Sequence, residues 1–211
     1  MCREQALKYM GHKGQQLTDE MEALFDASIV EVKEYSQFKA VTKTFELEQN
    51  PLRIPALDLP LPYEDITIYF KGCHQCMVIA CTLGIQLERR IKYWSKVMMA
   101  KSVMMDAIAS AYLEECCDTY EESLNLTERT YRIAPGYGDL PLELNHPLGN
   151  ALELSKTIGV TRTESGLFLP QKSMLGLIGI GNNNKTRTCG SCIRRKDCSF
   201  RKEGLRCYKN D

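Results

Sequence analysis

Met77-Val-Ile-Ala-Cys-Thr82 is a short, continuous and mostly apolar run that is closed by Gly84. A run of this length, bounded by a turn residue, is typical of a strand buried in the middle of a sheet. The spacing of apolar residues then changes to a helical one, with such residues at positions 87, 91, 94 and 98. We therefore expect a central strand that is followed directly by a helix.

The segments on either side mix both kinds of element. Apolar periodicity predicts helices over 18–34 and 102–117, and another that opens at 145 and ends near 159. Runs rich in β-branched or apolar residues predict strands at 38–47, 130–134, 160–163, 166–169 and 174–180. Four prolines between 51 and 62 indicate a connection without regular structure. Because strands and helices do not alternate strictly, the fold class should be α+β.

The composition is that of a folded globular protein. Of 211 residues, 44% are hydrophobic and 26% are charged, which argues against disordered, fibrous and coiled-coil chains. The longest nearly uninterrupted apolar run, 77–85, is far shorter than the ~20 residues that a membrane helix needs. The first residues also lack the apolar segment of a secretion signal. We expect a soluble, cytoplasmic protein with no membrane partner.

Charge is unevenly distributed, although the net charge is zero. Residues 185–211 contain nine Lys and Arg residues against three acidic ones, a net charge of +6, so the rest of the chain carries −6. An acidic body with a basic end suggests two functional parts. The sequence therefore predicts a domain over 1–184 and a small cysteine-rich, metal-binding tail over 185–211.

Four cysteines crowd this tail in the spacing C-x2-C-x5-C-x8-C, at Cys189, Cys192, Cys198 and Cys207. Clustered cysteines in a cytosolic chain favour metal binding or redox chemistry over a disulfide framework. Four thiolates suit a tetrahedral Zn²⁺ or an iron–sulfur cluster, and the interleaved basic residues would offset their charge. The alternative is a set of free reduced thiols. A second close pair, Cys73-His-Gln-Cys76, is only a weak redox motif.

Arg132-Ile-Ala-Pro-Gly-Tyr137 is the strongest local motif. Proline fixes φ and donates no N–H, while glycine permits close backbone approach and unusual backbone angles. Such a turn can present backbone groups to a ligand, with Arg132 supplying charge and Tyr137 a stacking face. A valine at Gly136 should then block the ligand at little cost to folding. Taken alone, however, the motif is more typical of a turn that merely ends a strand.

The chain around this motif resembles the activation domain of cobalamin-dependent methionine synthase, whose S-adenosylmethionine site centres on Arg-x-x-Pro-Gly-Tyr. The resemblance covers about residues 64–180. It includes Thr157-Ile-Gly-Val-Thr-Arg-Thr-Glu-Ser165, Pro170 followed by 173–176, and the small-residue helix Asp106-Ala-Ile-Ala-Ser-Ala-Tyr112. Thr82-Leu-Gly84 before the helix pair is similar to the stand-alone versions of this domain.

The resemblance implies a mixed or antiparallel sheet with flanking helices and a part in methionine biosynthesis. In the family's reaction, inactive cob(II)alamin (vitamin B12) on a partner protein receives one electron. S-adenosylmethionine then traps the resulting Co(I) as methylcobalamin. The chain would be a methyltransferase component that needs a cobalamin-binding methionine synthase or corrinoid protein, and an electron donor such as flavodoxin or ferredoxin. This need for an electron tilts the tail toward an iron–sulfur cluster over zinc.

Carried over position by position, the family's motif assigns S-adenosylmethionine binding to Arg132, Ala134, Pro135, Gly136 and Tyr137. In the family a helix carboxylate neutralises the ligand's ammonium group, and Asp106 is its best counterpart here. The alternative for Asp106 is a solvated charge on a helix surface.

Two departures from the family's pattern stand out. The later tyrosine that contacts the ligand has no counterpart, because residues 174–188 contain no tyrosine. The Asp-x-His-x-x-Gly motif of cobalamin binding is also absent, so the cobalamin would belong to another chain.

A different class of function is a non-enzymatic, zinc-binding interaction module that contacts nucleic acid or protein through its basic tail. Nine basic residues around four cysteines would permit contact with nucleic acid. The tail offers only Phe200 and Tyr208 for base stacking, however, and the acidic body would repel phosphates. Reductive methylation is therefore the favoured hypothesis.

Overall fold

A computed structural model describes residues 3–12, 14–181 and 202 of the chain. The helices are α1 (Arg3–Tyr9), α2 (Asp19–Tyr35), α3 (Glu64–Tyr69), α4 (Ile85–Val97), α5 (Met99–Ser123), α6 (Asn145–Ala151) and α7 (Leu154–Thr157). The strands are β1 (Lys39–Glu46), β2 (Arg53–Ile54), β3 (Leu59–Pro60), β4 (Gln75–Thr82), β5 (Thr161–Arg162), β6 (Phe168–Leu169) and β7 (Ser173–Ile180). This mixture of helices and strands confirms the α+β class.

The central sheet has the strand order β1-β4-β7, so β4 is the middle strand, as its apolar run predicts. Seven consecutive side chains of β4 are buried, and both faces of the strand must therefore be covered, because successive side chains point to opposite faces. Both neighbours are antiparallel to β4. The backbone N–H of His74 bonds to Ile180 O at 3.0 Å, and the N–H of Leu83 bonds to Lys172 O at 2.9 Å.

The long helices lie where the apolar periodicity places them. Thr18 caps α2, since its hydroxyl accepts a hydrogen bond from the backbone N–H of Met21 at 3.3 Å. Helix α5 is longer than expected and is buried on much of its surface, with Met105 and Ile108 fully covered. Met104 and Met105 are thus packing residues, whereas Met99, the first residue of the helix, is exposed. No helix in the described part of the chain is long and apolar enough to cross a membrane.

Two of the expected elements are interrupted. Segment 130–134 lies antiparallel to β7 but forms only isolated bridges, partly because the hydroxyl of Thr130 accepts the Gly179 N–H at 3.0 Å in place of a backbone carbonyl. The helix expected over 145–159 is split into α6 and α7, because Glu153 between them has a left-handed φ of 50°.

The chain divides into two compact units. The first consists of the described residues up to Val41, with Ala80–Asn125 and Glu153–Met174. The second consists of Thr42–Ile79, Leu126–Leu152 and the described residues from Leu175 onward. Of the expected tail, 185–211, only residue 202 is described, so the domain boundary at residue 184 stays a prediction.

Within the first unit, α2, α4 and α5 pack together around the carboxylate of Glu31, which is 8% exposed. Trp94 donates its indole N–H to Oε1 of Glu31 at 2.7 Å, and Lys101 Nζ lies 2.6 Å from Oε2. Arg90 pairs with Oε1 as well, and its guanidinium carbon lies 5.0 Å from the ring centre of Tyr35. One acidic group thus holds three helices together through two cations and an indole.

Candidate functional site

The Arg132–Tyr137 motif lies in the second unit, where the chain runs beside β7. Ile133 exchanges two backbone hydrogen bonds with Leu177, of 3.0 Å and 2.7 Å. The chain then turns away from the strand at Pro135, which is buried. The motif therefore does end an extended segment, and its last residues project beyond the edge of that pairing.

The turn itself is closed by its own hydrogen bonds. Gly136 has a φ of 89°, an angle that residues with side chains rarely adopt, and its N–H donates to Leu140 O at 2.8 Å. The N–H of Tyr137 donates to Ala134 O at 3.1 Å. These two N–H groups are therefore used inside the turn and are not available to a ligand. The side chain of Tyr137 is 44% exposed.

The left-handed backbone at Gly136 corrects one expectation. A valine there would strain the turn whatever space surrounds it, so the substitution would disturb folding as well as ligand approach. Substitutions at Arg132 therefore test ligand binding more cleanly.

Arg132 is half-buried, and its aliphatic part crosses β7 directly above Gly176. A Cβ added to Gly176 would lie 2.3 Å from Cγ of Arg132 and 2.6 Å from Cδ. The arginine can take this path only because residue 176 has no side chain. Gly176 lies within the stretch that carries the family resemblance, but its spacing from the motif did not reveal this contact.

The loop after Tyr137 is anchored by Asp139, which sequence reasoning missed. Oδ2 of Asp139 accepts hydrogen bonds from the backbone N–H groups of Glu64 at 2.7 Å and Asp65 at 3.4 Å, at the start of α3. In return, the N–H of Asp139 donates to Oδ2 of Asp65 at 3.1 Å. This reciprocal capping ties the loop to a helix and restricts the position of the preceding turn.

Asp106, the predicted partner of a ligand ammonium group, lies on α5 in the first unit. Its side chain is 54% exposed, and Oδ1 lies 2.7 Å from Nζ of Lys172. Lys172 also donates to Oγ of Ser110 at 2.9 Å. Asp106 lines a surface cavity of about 500 Å³, whose other lining residues include Ile91, Ser102 and Val103. The carboxylate is thus paired with a cation and also faces an open cavity.

The predicted metal ligands Cys189, Cys192, Cys198 and Cys207 lie outside the described residues. Within residues 3–12, 14–181 and 202, no group of three or more His, Cys, Asp or Glu side chains is placed to hold a metal ion.

The close pair Cys73 and Cys76 is buried in the second unit. Burial and the neighbouring Cys73 raise the pKa of the Cys76 thiol far above its ordinary value, which disfavours a reactive thiolate. The Cys73–Cys76 pair is therefore better interpreted as packing in the core than as a redox pair.

Comparison with known proteins gives a match in structure alone. No family model matches the chain, and no curated protein does. Among the solved structures that match is the crystal structure of the MetH reactivation domain bound to AdoHcy. It superimposes with a TM-score of 0.66 over 96% of this chain and 81% of that one, at 13% sequence identity. The chain thus has the α+β fold of the MetH reactivation domain, as the sequence resemblance predicts.

Proposed function

We propose that this chain binds S-adenosylmethionine and supports the reductive methylation of cob(II)alamin carried by a partner chain. The observation behind the proposal is the Arg132–Tyr137 motif, which forms a closed turn beside β7 in a fold like that of the MetH reactivation domain. That domain was crystallised with AdoHcy. AdoHcy is what remains of S-adenosylmethionine once the methyl group has been transferred.

The chemistry of the motif suits this ligand. A guanidinium group binds a carboxylate through two parallel hydrogen bonds, so Arg132 would hold the carboxylate of the methionine part. The half-exposed ring of Tyr137 offers a face on which the adenine can stack. Turn carbonyls such as that of Gly136 can accept hydrogen bonds from amino or hydroxyl groups. The chain would then act by positioning, with the methyl group held in line between the leaving sulfur and cobalt.

Asp106 is a separate part of the proposal. We assign it the ammonium group of the ligand, as the family resemblance implies. Because Lys172 approaches Oδ1, the second carboxylate oxygen, Oδ2, is the atom that we assign to the ligand. Replacing Asp106 with asparagine would remove the charge but keep the size of the side chain.

The first expected result concerns Arg132. Replacing Arg132 with lysine should weaken S-adenosylmethionine binding about ten- to a hundredfold, because a bidentate, charge-assisted contact with the carboxylate is lost. Isothermal titration calorimetry measures the affinity directly. Arg129→Lys is the matched control, since Arg129 lies in the same segment outside the motif, and it should bind like the parent. Equal affinity in the Arg132→Lys variant would contradict the proposed site.

A second expected result concerns the tail, for which we propose one metal centre per chain at the four cysteines. Protein purified without oxygen should contain iron or zinc, and Cys192→Ser should release it while the body keeps its melting temperature. Cys116→Ser, a change at a half-buried cysteine of α5, should retain the metal. Metal-free parent protein from an anaerobic preparation would rule out the centre.

A further inference from the structure

We propose that Gly176 is a positioning residue for Arg132, and that the absence of a side chain at this position admits the Arg132 rotamer that sets where the guanidinium group points before a ligand arrives. The inference rests on the proposed function, since it concerns the arginine to which we assign the ligand's carboxylate. Gly176 itself would not touch the ligand. Its effect would be transmitted through the side chain of Arg132.

The contact is made at the middle of the arginine side chain. A methyl group on Gly176 would come within 2.6 Å of both Cγ and Cδ of Arg132, distances that packed carbon atoms do not tolerate. These atoms lie between the backbone and the guanidinium group, so a small movement of the end of the side chain would not relieve the clash. Arg132 would have to adopt another rotamer, which would move the guanidinium group away from its present position.

The backbone on both sides holds this contact in register. Residue 133 is bonded in both directions to residue 177, which is the neighbour of Gly176. Neither strand can therefore shift along the other without breaking this pair. Arg132 is itself half-buried, so its side chain has fewer rotamers open to it than an exposed arginine has. Less side-chain freedom then remains to be lost when a ligand binds, which favours affinity.

Gly176 has no left-handed φ, so alanine can adopt its backbone angles, and the substitution tests the contacts that a Cβ makes with Arg132 and with Ile133 O. Gly176→Ala should lower the melting temperature by about 3–10 °C and weaken S-adenosylmethionine binding about ten- to a hundredfold. The tight approach to Ile133 O, at 3.2 Å, is common to every variant with alanine at 176 and does not distinguish them.

A double-mutant cycle isolates the contact. In an Arg132→Ala background, residue 132 has no Cγ or Cδ. Gly176→Ala should then lower the stability only slightly and should not weaken binding further. In an Arg132→Lys background both atoms are still present, so the loss of stability should return. A purely structural role for Gly176 would lower stability and affinity by the same amount in all backgrounds.

The outcomes are separable. If the parent chain does not bind S-adenosylmethionine, the proposed function is overturned and this inference falls with it. If the parent binds and Gly176→Ala binds equally tightly, only the role of Gly176 is overturned. Should Gly176→Ala fail to fold, recovery of folding in Gly176→Ala with Arg132→Ala would support the contact. Failure of both variants to fold would overturn it.

Discussion

Replacing Glu31 with glutamine is expected to lower the free energy of unfolding by about 3 kcal/mol, because it removes the buried negative charge that pairs with both Arg90 and Lys101. The side chain of Lys101 is 12% exposed and that of Arg90 is 30% exposed. Lys101 in particular would be left largely buried without its carboxylate. Its hydrocarbon chain and ammonium group would still contact Trp94, with Nζ 3.9 Å from the ring centre.

The loss of stability should depend on pH. Burial by itself raises the pKa of Glu31, but hydrogen bonds from Lys101, Trp94 and Arg90 outweigh burial and hold the pKa below its ordinary value. A carboxyl group whose pKa is lower in the folded chain stabilises that chain above the unfolded pKa, and the contribution disappears as the pH falls through the folded pKa. The difference between parent and variant should therefore be complete at pH 7 and shrink below about pH 4.

Trp94 makes this experiment direct, because it is the one tryptophan in the sequence and contacts Glu31 itself. Its fluorescence during denaturant unfolding follows the first unit. Glu34→Gln is the matched control, since Glu34 is exposed on the same helix, and it should change stability by less than about 0.5 kcal/mol. Equal losses in the two variants would show that the cluster contributes no more than a surface charge.

The local sequence was enough to predict the elements that bury a long apolar face. The run at 77–82 and the helical spacing from 87 to 98 each predict an element that the structure contains. The helices that were missed, α1 and α3, have seven and six residues, too few for a strong periodic pattern. The expectation of no regular structure around the four prolines was also wrong, because β2 and β3 pair there, but these strands have only two residues each. The break at Glu153 was equally hidden, because glutamate is an ordinary helix residue that rarely adopts a left-handed φ.

The candidate site also has a part that the sequence predicts and a part that it does not. The Arg132–Tyr137 motif is continuous in sequence, so a family resemblance could find it and predict its turn. Its supports are not local. Asp139 bonds to a backbone group 75 residues earlier in the chain, and Gly176 reaches Arg132 from a separate strand. Periodicity carries no information about such contacts, since they depend on which segments the fold brings together.

The largest expected effect is the appearance of methylcobalamin when this chain is added in trans. Mixed with S-adenosylmethionine, a low-potential reductant and a cobalamin-loaded partner methionine synthase, the parent chain should convert cob(II)alamin to methylcobalamin, which absorbance follows directly. Without a cobalamin partner the chain should not methylate free homocysteine at a useful rate. Arg129→Lys should behave like the parent, while Arg132→Lys should need far more S-adenosylmethionine.

The size of this effect follows from coupling two steps. Reduction of cob(II)alamin to Co(I) is uphill, so the reduced cobalt is present only in trace amounts unless something removes it. Transfer of the methyl group from sulfur to cobalt removes it and releases AdoHcy, which makes the net reaction favourable. A chain that holds the donor close to cobalt captures each reduced cobalt before it is oxidised again. If the +6 tail docks on an acidic partner, added salt should slow the reaction, because exposed charges are screened beyond ~8–10 Å at physiological ionic strength. Methylcobalamin formation at the same rate in the absence of this chain would refute the proposed function.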